Sequence, residues 1–493
     1  MSFLSIDQST SSTTIFVFDN DLKIISKNSK KHEQFYTENG YVEHDADEIY
    51  NNLISIVKDL RKTIHEIPKF ISITNQRETF VIFDKISGRP LRKAIVWQCR
   101  RGQKLCDELS KEEKNIKLID SKTGLKLDTY FPASKLKWLF DNDENIKNKV
   151  EKGEALFGTI DTYLLYRLTN GNEYATDVTN ASRTLLFNCN TLNWDNELKA
   201  LFNLDKINLP VIKESGSKFG KTNFEKIFDR EISIHGVIGD AQGSFFSTQC
   251  FDIADTRINL GTGSNILTNI GSSLKNSDNA LTTLSYVYQG NKMFAYECLN
   301  SFAGATISWL ENNLKIINNP EETEKISSEI PDSGGVYLIP AFVGLSAPYW
   351  LPHAKAMYYG ISASTNYKHL VRASLESVAY QIVVYLEYLR DLENINISKI
   401  IIEGGMTDNH FLIQLIANLT NKEIKIPLFA DMSVYGSLLK GLLSSGMCKN
   451  FNDLKKYTVK TKSFFPIKDD KSYKNFKIWK EIIDKHYIRV QNN

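Results

Sequence analysis

The chain has 493 residues, 42% hydrophobic and 24% charged, with a formal net charge of +2. That length predicts two to three domains whose cores need no cross-links, and a charge so near zero excludes a nucleic-acid surface built on a basic excess. Cys99, Cys106, Cys189, Cys250, Cys298 and Cys448 are scattered without a CxxC pair or a His/Cys cluster, which points to reduced thiols in a cytoplasmic setting rather than disulfides or zinc. Neither a leader with a basic and then an apolar region nor an apolar run of about 18 residues is present, so no signal peptide and no membrane span are expected.

Taken in order, residues 3–19 (FLSIDQSTSSTTIFVFD) predict a strand, a tight turn of hydroxyl residues and a second strand, with Asp7 at the mouth of the turn. Residues 70–74, 79–83 and 94–97 are β-prone, while residues 46–66, 135–139 and 197–202 carry helical spacing. This alternation predicts an α/β architecture. Residues 234–244 (IHGVIGDAQGS) end a β-prone run in Asp240, a lone carboxylate between Gly239 and Ala241. Alone it reads as a turn or helix cap; at a strand end it also suits a carboxylate facing a crevice.

Residues 256–268 (TRINLGTGSNILT) repeat the hairpin design around Gly261, Thr262 and Gly263, so each half opens a strand pair on a small-residue turn. Further on, residues 336–340 are β-prone and residues 369–390 helical. Residues 399–402 form a buried-strand run ending in Glu403, Gly404 and Gly405, and helical spacing resumes over 410–419. No Pro/Gly/Ser-rich linker divides the halves, and the second hairpin places the boundary near residue 250, giving domains 1–250 and 251–493.

Phosphate held by backbone N–H groups requires small residues, because a Cβ obstructs close approach, and hydroxyls add donors. The turn from Ser9 to Thr13 and the turn at Gly261, Thr262 and Gly263 meet that requirement, and two such turns facing each other would hold a polyphosphate from both sides. Asp7 is placed to hold Mg2+ against it, directly or through water.

An ordered series of blocks resembles the FGGY carbohydrate kinases over nearly the whole length: SIDQSTSST (5–13), ITNQRET (73–79), AIVWQCRR (94–101), TGLKLDTYFPASKLKWL (123–139), GTIDTYLLYRLT (158–169), TDVTNASRTLLFN (176–188), GDAQ (239–242), LGTG (260–263), AGATISWL (303–310), PAFVGLSAPYW (340–350), LVRASLESVAYQ (370–381) and EGGMTDNHF (403–411). Within the family, the second and third blocks are similar to those of members that phosphorylate glycerol. The resemblance implies two tandem actin-like (ribonuclease H-like) domains closing over a central cleft, with ATP and Mg2+ between them. It implies a chain, alone or as a homo-oligomer, that phosphorylates glycerol; the alternatives are a kinase of the family for another small polyol or sugar, or a catalytically weak nucleotide-binding relative. By the same resemblance Asp240 is the general base and also contacts the polyol; Arg77, Glu78, Trp97 and Tyr130 bind the polyol; Thr10, Ser11, Ser12, Thr262, Gly304, Gly405 and Asn409 bind the nucleotide; and Asp7 holds the metal.

The chain departs from the family pattern at several positions. Ala241 stands where a glutamine amide is usual, Asn265 where a phenylalanine packs on the substrate carbons, Thr14 for an arginine and Ser308 for a glutamine near the nucleotide, and Glu403 for an aspartate. Ala241 and Asn265 therefore predict an enlarged, more polar substrate pocket.

Overall fold

In the computed structural model, which describes residues 2–37, 39–64 and 66–488, two mixed sheets carry the two turns. The first sheet runs, edge to edge, Lys218–Thr222, Ile232–Gly239, Ile71–Asn75, Phe3–Gln8, Ser12–Phe18 and Ile24–Lys31. The second runs Leu281–Tyr288, Asn291–Asn300, Ser264–Gly271, Asp255–Leu260, Lys399–Glu403, Ile424–Pro427 and Thr461–Phe464. The centres share one plan: an antiparallel hairpin whose first strand pairs in parallel with a strand from later in the chain.

Parallel pairing sets where the chemistry gathers. Asp7 and Ile238 both pair with Thr74, and Gln8 and Gly239 both pair with Asn75, so three strands leave the sheet at the same end. There they deliver the hydroxyl turn, the Arg77–Glu78 segment and Asp240. In the second sheet Asn259 pairs with Glu403, which brings the Gly261 turn beside Gly404 and Gly405.

Helices fill the faces according to their apolar spacing. In Ala46–Arg61, Asp45 caps the N-terminus through the amides of Asp47 and Glu48, and Ile49, Leu53, Ile56, Val57 and Leu60 are buried. This helix is shorter than the 46–66 spacing predicts; its apolar stripe ends at Leu60, and beyond it the Arg61 guanidinium turns back onto the Ile64 carbonyl. His65 lies outside the described residues. Tyr367–Asp391 starts on a reciprocal cap between Asn366 and His369 and buries Val371, Leu375, Val378, Ile382 and Leu386. The helix Met432–Ser444, although late in the chain, returns to the first sheet and packs on the helix Asp240–Ser247 and on Ile232–Gly239. All six cysteines are buried and unpaired. Among the described residues no helix is long and apolar enough to cross a membrane.

Candidate functional site

Asp240 is the first residue of the helix Asp240–Ser247 and follows directly on the strand Ile232–Gly239. Its side chain keeps 42% of its surface open, and its Oδ1 lies 3.4 Å from Arg77 Nε. Desolvation lifts its carboxyl above the usual aspartate value, and Arg77 only partly counters this. A carboxylate so placed accepts a proton more readily than one in bulk water.

Arg77 and Glu78 end the run that follows Ile71–Asn75, and Glu78 takes a left-handed φ of 62° that turns its carboxylate back under Arg77. Arg77 Nε and Glu78 Oε1 are 3.8 Å apart. Both are deeply buried by a second pair that the sequence reading missed, Arg183 and Glu297. Arg183 Nε donates to Glu78 Oε1 at 2.5 Å, and its Nη1 donates to Glu297 Oε2. Arg77 Nη2 donates to Glu297 Oε1 at 2.9 Å and its Nη1 to Gln242 Oε1 at 3.2 Å. Burial by itself would raise the Glu297 carboxyl, but Arg183 and Arg77 hold it down at about 2. One signal was available: Glu297 is a charge inside the β-prone run MFAYECLN, a place a strand tolerates only when the charge is paired.

Trp97 and Tyr130 form an aromatic corner, ring centroids 5.4 Å apart and tilted by 57°. Beneath them the buried Lys135 ammonium donates to the carbonyls of Val96, Trp97 and Tyr130 at 3.3, 3.2 and 3.1 Å, pinning both walls from behind. The Trp97 indole N–H donates to Thr10 Oγ1 at 3.1 Å, so this corner is bonded directly to the hydroxyl turn, where Ser11 is exposed.

On the other side, Gly304 N donates to the Gly261 carbonyl at 2.9 Å, and Ala303 N and Ala305 N donate to the Thr262 carbonyl at 3.1 and 2.8 Å. Thr262 itself is exposed. A Cβ on Gly404, whose φ is 102°, would meet the Leu260 carbonyl oxygen at 2.5 Å, whereas a Cβ on Gly405 would meet none of the described residues within 4 Å, so the backbone can be approached from that side. Asn409 uses its Oδ1 to cap the helix His410–Thr420 and donates from Nδ2 to Thr323 Oγ1 at 3.1 Å.

Asp7 has its carboxyl pushed up to about 7, first by burial and then by the charges of Asp240 and Asp431, with the Ser433 hydroxyl 3.4 Å away as a donor. Among the described residues no three His, Cys, Asp or Glu side chains form a metal cluster. A carboxyl crowded by the charges of Asp240 and Asp431 fits Mg2+, which keeps waters and takes one or two carboxylates plus phosphate oxygens.

Two expected pocket features change. Asn265 is no free donor–acceptor facing a ligand: its Oδ1 accepts from Arg257 Nη1 at 2.7 Å and its Nδ2 donates to Glu297 Oε1 at 2.9 Å. Ala241 is only 9% exposed and packs in an apolar cluster with Phe245, Leu267, Ala295 and Ile401, so its methyl group opens little space.

Two family models cover this arrangement: residues 2–247 match the N-terminal domain, and residues 257–445 the C-terminal domain, of the FGGY family of carbohydrate kinases. The chain belongs to the FGGY family of carbohydrate kinases. Among curated relatives, this FGGY chain is 38% identical to a glycerol kinase of Fusobacterium nucleatum, covering 94% of each chain. It is 37% identical to glycerol kinase 2 of Thermotoga maritima, covering 98% of each. Its fold matches the crystal structure of Plasmodium falciparum glycerol kinase with ADP at a TM-score of 0.93 and 35% identity, covering 99% of this chain and 98% of that one. The FGGY assignment carries the two-domain, actin-like kinase fold, in agreement with the paired sheets.

Proposed function

We propose that the chain is an ATP-dependent glycerol kinase that transfers the γ-phosphoryl group of ATP to glycerol, giving sn-glycerol 3-phosphate. The observation that carries this reading is Asp240, a carboxylate of raised pKa, open at one sheet end and 3.4 Å from Arg77. The names of the glycerol kinases to which the chain is similar support it.

In this reading glycerol lies against Trp97 and Tyr130, with hydroxyls to Arg77 and Glu78, because a hydroxyl both donates and accepts and that pair offers the complement of each. Asp240 orients the attacking hydroxyl and takes its proton late, as a loose phosphoryl transfer requires. Thr10, Ser11 and Ser12 receive the phosphates from one side and Thr262 and Gly304 from the other; Gly405 and Asn409 take the adenosine. Asp7 would hold Mg2+, which when bound would neutralise charge on the phosphates. The buried cluster of Arg183 and Glu297 keeps Arg77 oriented without a substrate present, which reduces the reorganisation needed at binding.

A second reading, phosphorylation of another small polyol or sugar, is favoured by Ala241, which offers no amide to the substrate. ATP consumption measured over glycerol, dihydroxyacetone, erythritol and pentitols separates the two. Glycerol is expected to be used best; a four- or five-carbon polyol with a higher kcat/KM overturns the assignment.

A further inference from the structure

Four polar side chains cross one face of the second sheet. The register pairs Arg257 with Leu267, Leu267 with Glu297, Asn259 with Asn265 and Asn259 with Glu403, so Glu297, Asn265, Arg257 and Glu403 point the same way, toward the helix that begins at Asp240. Their bonds form one chain. Glu297 Oε1 accepts from Asn265, Asn265 Oδ1 accepts from Arg257, and Arg257 Nε donates to Glu403 Oε1 at 2.8 Å, with Nη2 donating to the same oxygen. The Ser244 hydroxyl of the Asp240 helix also donates to that oxygen. Glu403 Oε2, buried as well, has no hydrogen-bond partner among the described residues.

This chain of bonds runs between the two ligand sides. At one end Glu297 shares its carboxylate with Arg77 and Arg183. At the other, Glu403 is followed by Gly404, held against the Leu260 backbone, and by the open Gly405. Three carboxylates (Glu78, Glu297, Glu403) face three guanidinium groups (Arg77, Arg183, Arg257), all nearly buried, so separating any one pair leaves an uncompensated buried charge. Breaking one buried pair is costly, and such a set therefore shifts as a unit rather than bond by bond. Asn265 is suited to join the halves: its amide accepts from a guanidinium and donates to a carboxylate, which no hydrocarbon side chain does, whereas an aspartate carboxylate has no donor and would set a repulsive charge beside Glu297.

We propose that Asn265 and Arg257 are positioning residues that couple the Arg77–Glu297 side of the cleft to the 404–409 turn through Glu403, so that polyol and nucleotide strengthen each other's binding. The coupling of the two ligands rests on the kinase reading above; the mechanical link does not. In this role Asn265 acts through its neighbours Arg257 and Glu297.

The test uses Asn265→Leu, Arg257→Met, Arg257→Lys and the double variant of the first two, in the full chain. Calorimetry gives the Kd for ADP without and with saturating glycerol, and hydrogen exchange without ligand gives the protection of residues 404–409, with the helix Tyr367–Asp391 as internal control. In the unmodified protein glycerol is expected to tighten ADP by roughly fivefold or more. In Asn265→Leu and Arg257→Met that ratio falls to within about twofold of one, the double variant falls no further, and Arg257→Lys, which keeps the charge, retains part of it. Exchange at residues 404–409 rises in Asn265→Leu and Arg257→Met while the control helix is unchanged. An unaltered ADP ratio in Asn265→Leu overturns the proposal. So does a large rise in glycerol KM with an unaltered ADP ratio, which would make Asn265 a substrate contact. The exchange arm needs no polyol: if glycerol is not a substrate the function above fails, and exchange at residues 404–409 that is unchanged in both variants overturns the link by itself.

Discussion

Gly243 and Gly436 meet where the helices Asp240–Ser247 and Met432–Ser444 cross, and a Cβ on Gly436 would lie 1.8 Å from the Gly243 carbonyl oxygen. The close crossing seats the late helix on the first sheet and fixes the helix that starts with Asp240. Gly436→Ala should gain a little helix propensity but force the helices apart, for a net loss of about 2–3 kcal/mol in urea unfolding. Gly216→Ala, whose nearest neighbour would be the Lys440 carbonyl at an ordinary 3.7 Å, should change stability by less than ~0.5 kcal/mol. Equal effects of the two substitutions would contradict the crossing.

Asp240→Asn preserves shape and removes the proton acceptor. Turnover is expected to fall by roughly 100-fold or more, with the Kd for ADP close to that of the unmodified protein. Single-turnover phosphoryl transfer checks this, and a variant retaining more than half the turnover removes Asp240 from the role of base.

Trp97→Phe keeps the aromatic wall beside Tyr130 but deletes the N–H bonded to Thr10. Loss of that bond, about 0.5–1.5 kcal/mol, should raise the KM for ATP by roughly 2- to 10-fold and the KM for glycerol by less. Steady-state kinetics with each substrate varied in turn provides the comparison. If only the glycerol KM moves, the indole N–H does not support the phosphate turn.

Lys440 is fully buried with its ammonium 3.8 Å from the Phe246 ring centre and 4.6 Å from that of Tyr286, and it makes no hydrogen bond to the described residues. Burial pushes its pKa down to about 7. Between that value and the ordinary lysine value near ~10.4 the unfolded chain holds a proton that the folded chain does not, so stability rises with pH across this window and is lost as pH falls toward 7. Lys440→Met should therefore stabilise the protein by about 1–3 kcal/mol near pH 7, with the gain shrinking toward pH 10. Urea unfolding at pH 6, 8 and 10 measures it; a gain that is constant with pH would mean that charge is not the cause.

Much of the site's framework was legible from local pattern. A β-prone run, a hydroxyl or glycine turn and a second β-prone run define each hairpin, because alternating burial and turn chemistry act within a few residues of chain. Asp240 stood out for the same reason: a carboxylate that ends an apolar run must face water or a ligand. The tertiary structure alone decided what those residues touch. Glu297 meets Arg77 across 220 positions of sequence and Arg183 across 114, and Asn265 is bonded to both Arg257 and Glu297. Periodicity records which face of an element is buried, but the partner across that face is set by strand register and by the order of strands in the sheet, which bring together residues whose local sequences carry no mark of each other.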